Sequence, residues 1–202
     1  MLGRTRRELL IDGAGLAVAG AGLALLEPAA ARATPQPAPP ETESDRVIRL
    51  LRLELLLLFA SRHVLGSSLL YPRAQQTVGT LRAHAEAHIA ALRVRLTALG
   101  GVAPSPPANV AAADRHLAHR RISERLGQLR GAGDALRLLL DIERVTVGAY
   151  FVVLIKLEDP SLIRLAAEIM ANGAQHEVML TKLLDHDDLQ QAVPYGLVQG
   201  SQ

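Results

Sequence analysis

Apolar positions between residues 47 and 183 recur at alternating spacings of three and four, the period of a helix face turned toward a core. One stripe holds Val47, Leu50, Glu54, Leu57, Ser61 and Val64; a second holds Val78, Leu81, Ala85, His88, Leu92, Leu96 and Leu99. A third runs Leu136, Leu139, Glu143, Thr146, Tyr150, Val153, and a fourth Leu162, Ala166, Ile169, Gly173, His176, Leu180, Leu183. Between the stripes stand strong breakers: Tyr71-Pro72, Gly100-Gly101 and Glu158-Asp159-Pro160. A proline lacks the N–H that a helix interior needs, and a glycine accepts the backbone turn that ends one. The pattern predicts helices over about 43–66, 72–99, 134–157 and 161–186, paired as two hairpins. Residues 102–131, with Pro104, Pro106 and Pro107, form a long connection with a short helix around 112–126. The expectation is an all-α four-helix bundle over residues 43–187 with one crossover connection, followed by an irregular tail at 188–202.

Each inward stripe carries one group able to bind a metal: Glu54, His88, Glu143 and His176. Glu54 precedes His88 by 34 positions and Glu143 precedes His176 by 33, so the midpoints fall at residue 71 and residue 159.5, on the two breaks. Residues equidistant from the turn of an antiparallel hairpin lie at one height. Each hairpin therefore sets a carboxylate beside an imidazole, about 25 Å from its turn at 1.5 Å per residue. A carboxylate among leucines, as in Leu53-Glu54-Leu55, is costly unless it is neutral, hydrogen-bonded or matched by a cation. Two readings stay open at this point: a metal site, and a buried polar network in which the histidines serve as hydrogen-bond partners.

Composition narrows the classes. The chain is 49% hydrophobic but only 2% aromatic, and its Leu and Ala content favours helix over sheet. Cysteine is absent, which excludes disulfides, thiolate metal sites and a lipid-modified cysteine anchor. No nucleophile-elbow motif or glycine-rich phosphate loop occurs, so no catalytic residue is assigned. Thr5-Arg6-Arg7-Glu8-Leu9-Leu10, the apolar Gly13 to Leu26 stretch and Ala31-Arg32-Ala33 read as a twin-arginine signal peptide over residues 1–33, and TPQPAPP opens a Pro-rich linker over 34–42. Export by that route places the mature chain in the periplasm, the cell envelope or the extracellular space. The signal segment holds four of the 22 basic and three of the 20 acidic residues, so the remainder carries 18 against 17. A near-neutral chain without an arginine stripe is no nucleic-acid partner. The partners expected are a metal ion, the membrane during export only, and further copies of the chain.

Leu53-Glu54-Leu55, Glu86-Ala87-His88-Ile89-Ala90-Ala91-Leu92, Glu143 to Tyr150 (ERVTVGAY), Ala174-Gln175-His176-Glu177 and Val193-Pro194-Tyr195 together resemble the bacterial ferritin-like family with twin-arginine signals. The resemblance implies a ferritin-like four-helix bundle whose helices 1 and 3 give one Glu each and helices 2 and 4 a Glu-x-x-His each. Glu54, Glu143, His88 and His176 match that donor set, while Ala85 and Gly173 stand where the other two glutamates belong. The implied cofactor is iron or manganese ahead of zinc, or no metal where the polar groups remain as a network. The implied function is binding or oxidation of iron or manganese, with a non-enzymatic envelope or stress bundle as its alternative. Glu86 and Glu177 lie one residue off the stripes, about 100° around the helix, and are expected to point elsewhere. His84, four residues before His88, offers a further ligand but leaves the stripe and reads rather as solvent-facing, and His63, His116, His119 and His186 read as surface residues. Tyr150 reads as core or as a lining of the site, and Gly173 as close packing or as a gap beside His176.

Overall fold

The protein was analysed as a computed structural model, which describes residues 40–184; the expected signal peptide and most of the linker, and the tail after Leu184, lie outside the described residues. Five α-helices and no strand occur among them: α1 Glu43–Gly66, α2 Pro72–Ala98, α3 Val110–His119, α4 Ala132–Leu154 and α5 Pro160–Leu184, with a 3-10 turn at Leu126–Gln128. Among the described residues no helix is long and apolar enough to cross a membrane.

Local chemistry fixes the helix ends. Thr42 caps α1 by accepting the Asp45 N–H at 3.1 Å, and Asp45 returns the bond to the Thr42 N–H at 3.0 Å, a reciprocal capping box. Pro72 starts α2 at the position where its missing N–H costs nothing. At the other end Gly100 takes φ +71° and the Gly101 N–H closes on the Leu96 carbonyl at 2.9 Å. A side chain at Gly101 would also collide with Leu96 and Ser44.

The four long helices pack side by side as a helical bundle: α1 lies against α2 and α4, and α5 against α4 and α2. At one end the Glu43 carboxylate of α1 accepts the N–H groups of Glu158 (2.8 Å) and Asp159 (3.1 Å), and Arg46 donates to the Lys156 carbonyl at 2.7 Å. At the opposite end the Tyr71 hydroxyl donates to the Leu183 carbonyl at 3.3 Å. The turn between α4 and α5 thus sits at the start of α1, and the turn between α1 and α2 at the end of α5. Consequently α2 and α4 run in the same direction, and the segment joining them must travel the length of the bundle.

That segment contains a shorter helix than its sequence pattern predicts. Asn109 caps α3 through the Ala112 N–H at 2.9 Å, and Arg121 ends it in the left-handed region at φ 60°. Asp114 then accepts the Leu126 N–H at 2.7 Å, which secures the 3-10 turn.

Candidate functional site

The apolar core is not continuous. One cluster runs through Leu57, Leu81, Leu136, Leu139 and Leu180, and a second through Leu50, Leu92, Tyr150, Leu162 and Ile169. Between them lies a polar layer drawn from all four long helices. Glu54 of α1 and Glu143 of α4 are each 1% exposed, as is His176 of α5. His88 Nδ1 of α2 stands 3.2 Å from Glu54 Oε2, and His176 Nδ1 stands 2.7 Å from Glu143 Oε1.

Two further contacts tie the pairs across the hairpins. The buried Tyr150 hydroxyl of α4 donates to Glu54 Oε1 at 3.0 Å. His84 Nδ1 of α2 lies 2.8 Å from His176 Nε2, with the two rings stacked at 5.1 Å. The layer thereby holds two hydrogen-bonded strings, Tyr150–Glu54–His88 and Glu143–His176–His84.

Burial suppresses charge in this layer. Loss of water, and then the neighbouring Glu54, push the Glu143 carboxyl well above the usual carboxylate range. The Tyr150 hydroxyl is raised for the same two reasons. His176 falls to about 4, chiefly through burial and secondarily through His88. A protonated Glu143 donating to an unprotonated Nδ1 of His176 satisfies both groups at no charge, which is the form a low-dielectric interior favours.

Two sequence expectations change here. His84 does not face solvent: it is half-buried and reaches His176. Its four-residue spacing from His88, which puts the two on one side of α2, was the available signal. Glu177 is 3% exposed, with its carboxyl raised to about 7 by burial first and Glu143 second. Glu86 does lie outside, paired with Arg62 at 2.9 Å. Gly173 leaves no gap, because a Cβ there would come within 2.8 Å of Val147 Cγ2 and 3.4 Å of Glu143 Oε2. Val147 fills the place where a glutamate side chain on α5 would have to start.

The model matching residues 38–186 describes a ferritin-like domain. This chain belongs to that ferritin-like family. The match spans every helix described above, and no curated protein and no solved structure matches the chain. For this ferritin-like chain the fit to a metal is a matter of donors and of room. Two carboxylates and two imidazoles, with His84 one helical turn from His88, are donor types suited to a divalent first-row ion. With the strings hydrogen-bonded as they are, no three His, Asp or Glu side chains among the described residues converge on one ion. Ala85 and Gly173 supply no carboxylate, and Val147 blocks one at Gly173. As placed, the described side chains do not converge on an ion, and the carboxylates missing at residues 85 and 173 leave no fit to a bridged pair.

Proposed function

We propose that this protein is an exported ferritin-like four-helix bundle that binds a single divalent transition-metal ion in its core, with Glu54, His88, Glu143 and His176 as donors. The supporting observation is the polar layer itself. Four helices each contribute one donor at the same depth, in the middle of a leucine-rich core, where every unpaired polar atom carries a penalty of a few kcal/mol. A divalent ion gives both carboxylates a counter-charge without bringing in water. Bound iron or manganese would supply Lewis-acid and redox chemistry to an oxygen ligand. The chain's own residues hold the site in place: Tyr150 fixes Glu54 by its hydroxyl, and the closed packing at Gly173 fixes Glu143.

The twin-arginine reading of residues 1–33 agrees with this, since that route carries folded proteins and allows a metal to be inserted before export. A second reading draws on the same contacts. The two strings already satisfy one another, so the layer can serve as a polar lock in a metal-free envelope or stress bundle.

Metal content separates the two. Protein purified without chelator from its native compartment is expected to carry close to one iron, manganese or zinc per chain by mass spectrometry, lost in a Glu54→Ala, His176→Ala double variant. Wild-type protein that is metal-free and takes up none of the three on addition would leave the polar lock.

A further inference from the structure

A cavity of about 260 Å³ lies where α1, α2 and the long connection meet. Its inner wall is apolar: Leu55 and Ile89 are buried, and Leu58 and Phe59 are half-buried beside them. Pro106 and Pro107 line it from the connection. The remaining side chains are two exposed arginines, Arg62 of α1 and Arg93 of α2, which mark its mouth. An apolar wall with a few placed polar groups is the composition of a small-molecule site. None of the donors in the polar layer lines this cavity, so what it binds is independent of the metal-binding reading.

Hydrogen-bond bookkeeping narrows the guest. Proline has no N–H, and the N–H groups in the middle of α1 and α2 are bonded within those helices. A guest therefore finds its donors in the two guanidinium groups, which donate only and stay charged. They call for negatively charged acceptor oxygens. Arg62 meets Glu86 at 2.9 Å, an exposed pair of the kind that contributes little and opens readily. Among the described residues Arg93 enters no ion pair, although six other arginines do. No acidic side chain lines the cavity to compete for it. Volume sets the size of the apolar part. A cavity of about 150 Å³ takes up benzene, so this one has room for roughly ten non-hydrogen atoms.

We propose that the cavity binds a small amphipathic carboxylate, with its apolar chain against Leu55, Phe59 and Ile89 and its oxygens on Arg93. A planar guanidinium meets a carboxylate through two parallel N–H donors, which fixes the orientation of the guest as well as its charge. Arg62, on the facing helix, adds a second positive charge at the mouth.

The test titrates the whole chain with octanoate, octan-1-ol and octylammonium by calorimetry, beside Arg93→Gln and Phe59→Trp variants. Octanoate is expected to bind once per chain, and the alcohol and the ammonium at least roughly tenfold more weakly. In Arg93→Gln the affinity for octanoate should fall roughly tenfold and that for octanol stay unchanged. Arg93 is exposed, so this variant keeps the fold, which circular dichroism checks. The natural chain has no tryptophan, so the fluorescence of Phe59→Trp reports on the cavity wall alone and should shift as octanoate enters. Octanol that binds as tightly as octanoate overturns the carboxylate preference. Octanoate affinity unchanged in folded Arg93→Gln overturns the site, and a chain that takes up no octanoate leaves the cavity to a protein segment instead.

Discussion

The two carboxyl–imidazole pairs are near equals along the chain, 34 and 33 positions apart, and unequal in the molecule. Glu143 and His176 meet at 2.7 Å with both side chains 2% exposed, whereas Glu54 and His88 stand 3.2 Å apart and His88 is 14% exposed. Equal spacing from a hairpin turn sets the height of a donor but not its surroundings. Those come from the neighbouring hairpin, which gives the first pair a tyrosine hydroxyl and the second an imidazole. The inequality should appear directly in stability. Removing His176 strands a buried carboxyl and deprives His84 of its partner, while removing His88 leaves Glu54 its bond from Tyr150. We expect His176→Ala to cost about 3 kcal/mol and His88→Ala about 1 kcal/mol in metal-free protein. Urea denaturation checks this, and equal losses would show that the two pairs are equivalent after all.

The next effect, smaller, comes from two groups adjacent on α5 that titrate in opposite senses. Glu177 is raised from 4.5 to about 7 in the fold. Below pH 4.5 the folded and unfolded states both hold its proton. Between 4.5 and 7 only the native state keeps it, so stability falls as pH rises through that window. His176 is lowered from 6.5 to about 4, so below pH 6.5 the unfolded chain takes up a proton that the native state refuses, and stability falls as pH drops. From about 4.5 to 6.5 these two slopes oppose, with the raised Glu143 adding to the sense of Glu177 and the lowered His84 to that of His176. Glu177→Gln removes one of them. It is expected to exceed wild type by about 2 kcal/mol at pH 8 and to converge with it near pH 4. Curves that run parallel from pH 4 to 8 would place the Glu177 carboxyl in an ordinary environment.

How much of this the chain disclosed differs between backbone and site. Breakers such as Tyr71-Pro72 and Asp159-Pro160 act locally through missing N–H groups and restricted φ, so helix ends fell within a few residues of those predicted. The Asn109 cap starts the short helix two residues before the expected 112, and Arg121 in the left-handed region ends it against the apolar spacing that continues to residue 126. The stripe of threes and fours turned Glu54, His88, Glu143 and His176 inward because they occupy its centre line. It set His84 and Glu177 aside because a packed helix buries a face about 100° wide, broader than the stripe. Partner-dependent facts were out of reach altogether. Gly173 shows only that α5 is small there, while the Val147 methyl that occupies the space belongs to another helix.

The smallest expected effect isolates what supports the looser pair. Tyr150 is wholly buried, and its hydroxyl donates to Glu54 at 3.0 Å. Its ring belongs to the apolar cluster above the polar layer, so Tyr150→Phe keeps the packing and deletes one hydrogen bond. In metal-free protein that deletion should cost about 1 kcal/mol, because Glu54 then depends on His88 alone. Combined with His88→Ala, the loss should exceed the sum of the single losses, since the carboxyl would have neither partner in a low-dielectric core. A double-mutant cycle by urea denaturation measures the excess. Strict additivity would mean that Glu54 draws its support from elsewhere, and the contrast between a tyrosine-backed and an imidazole-backed pair would lose its physical basis.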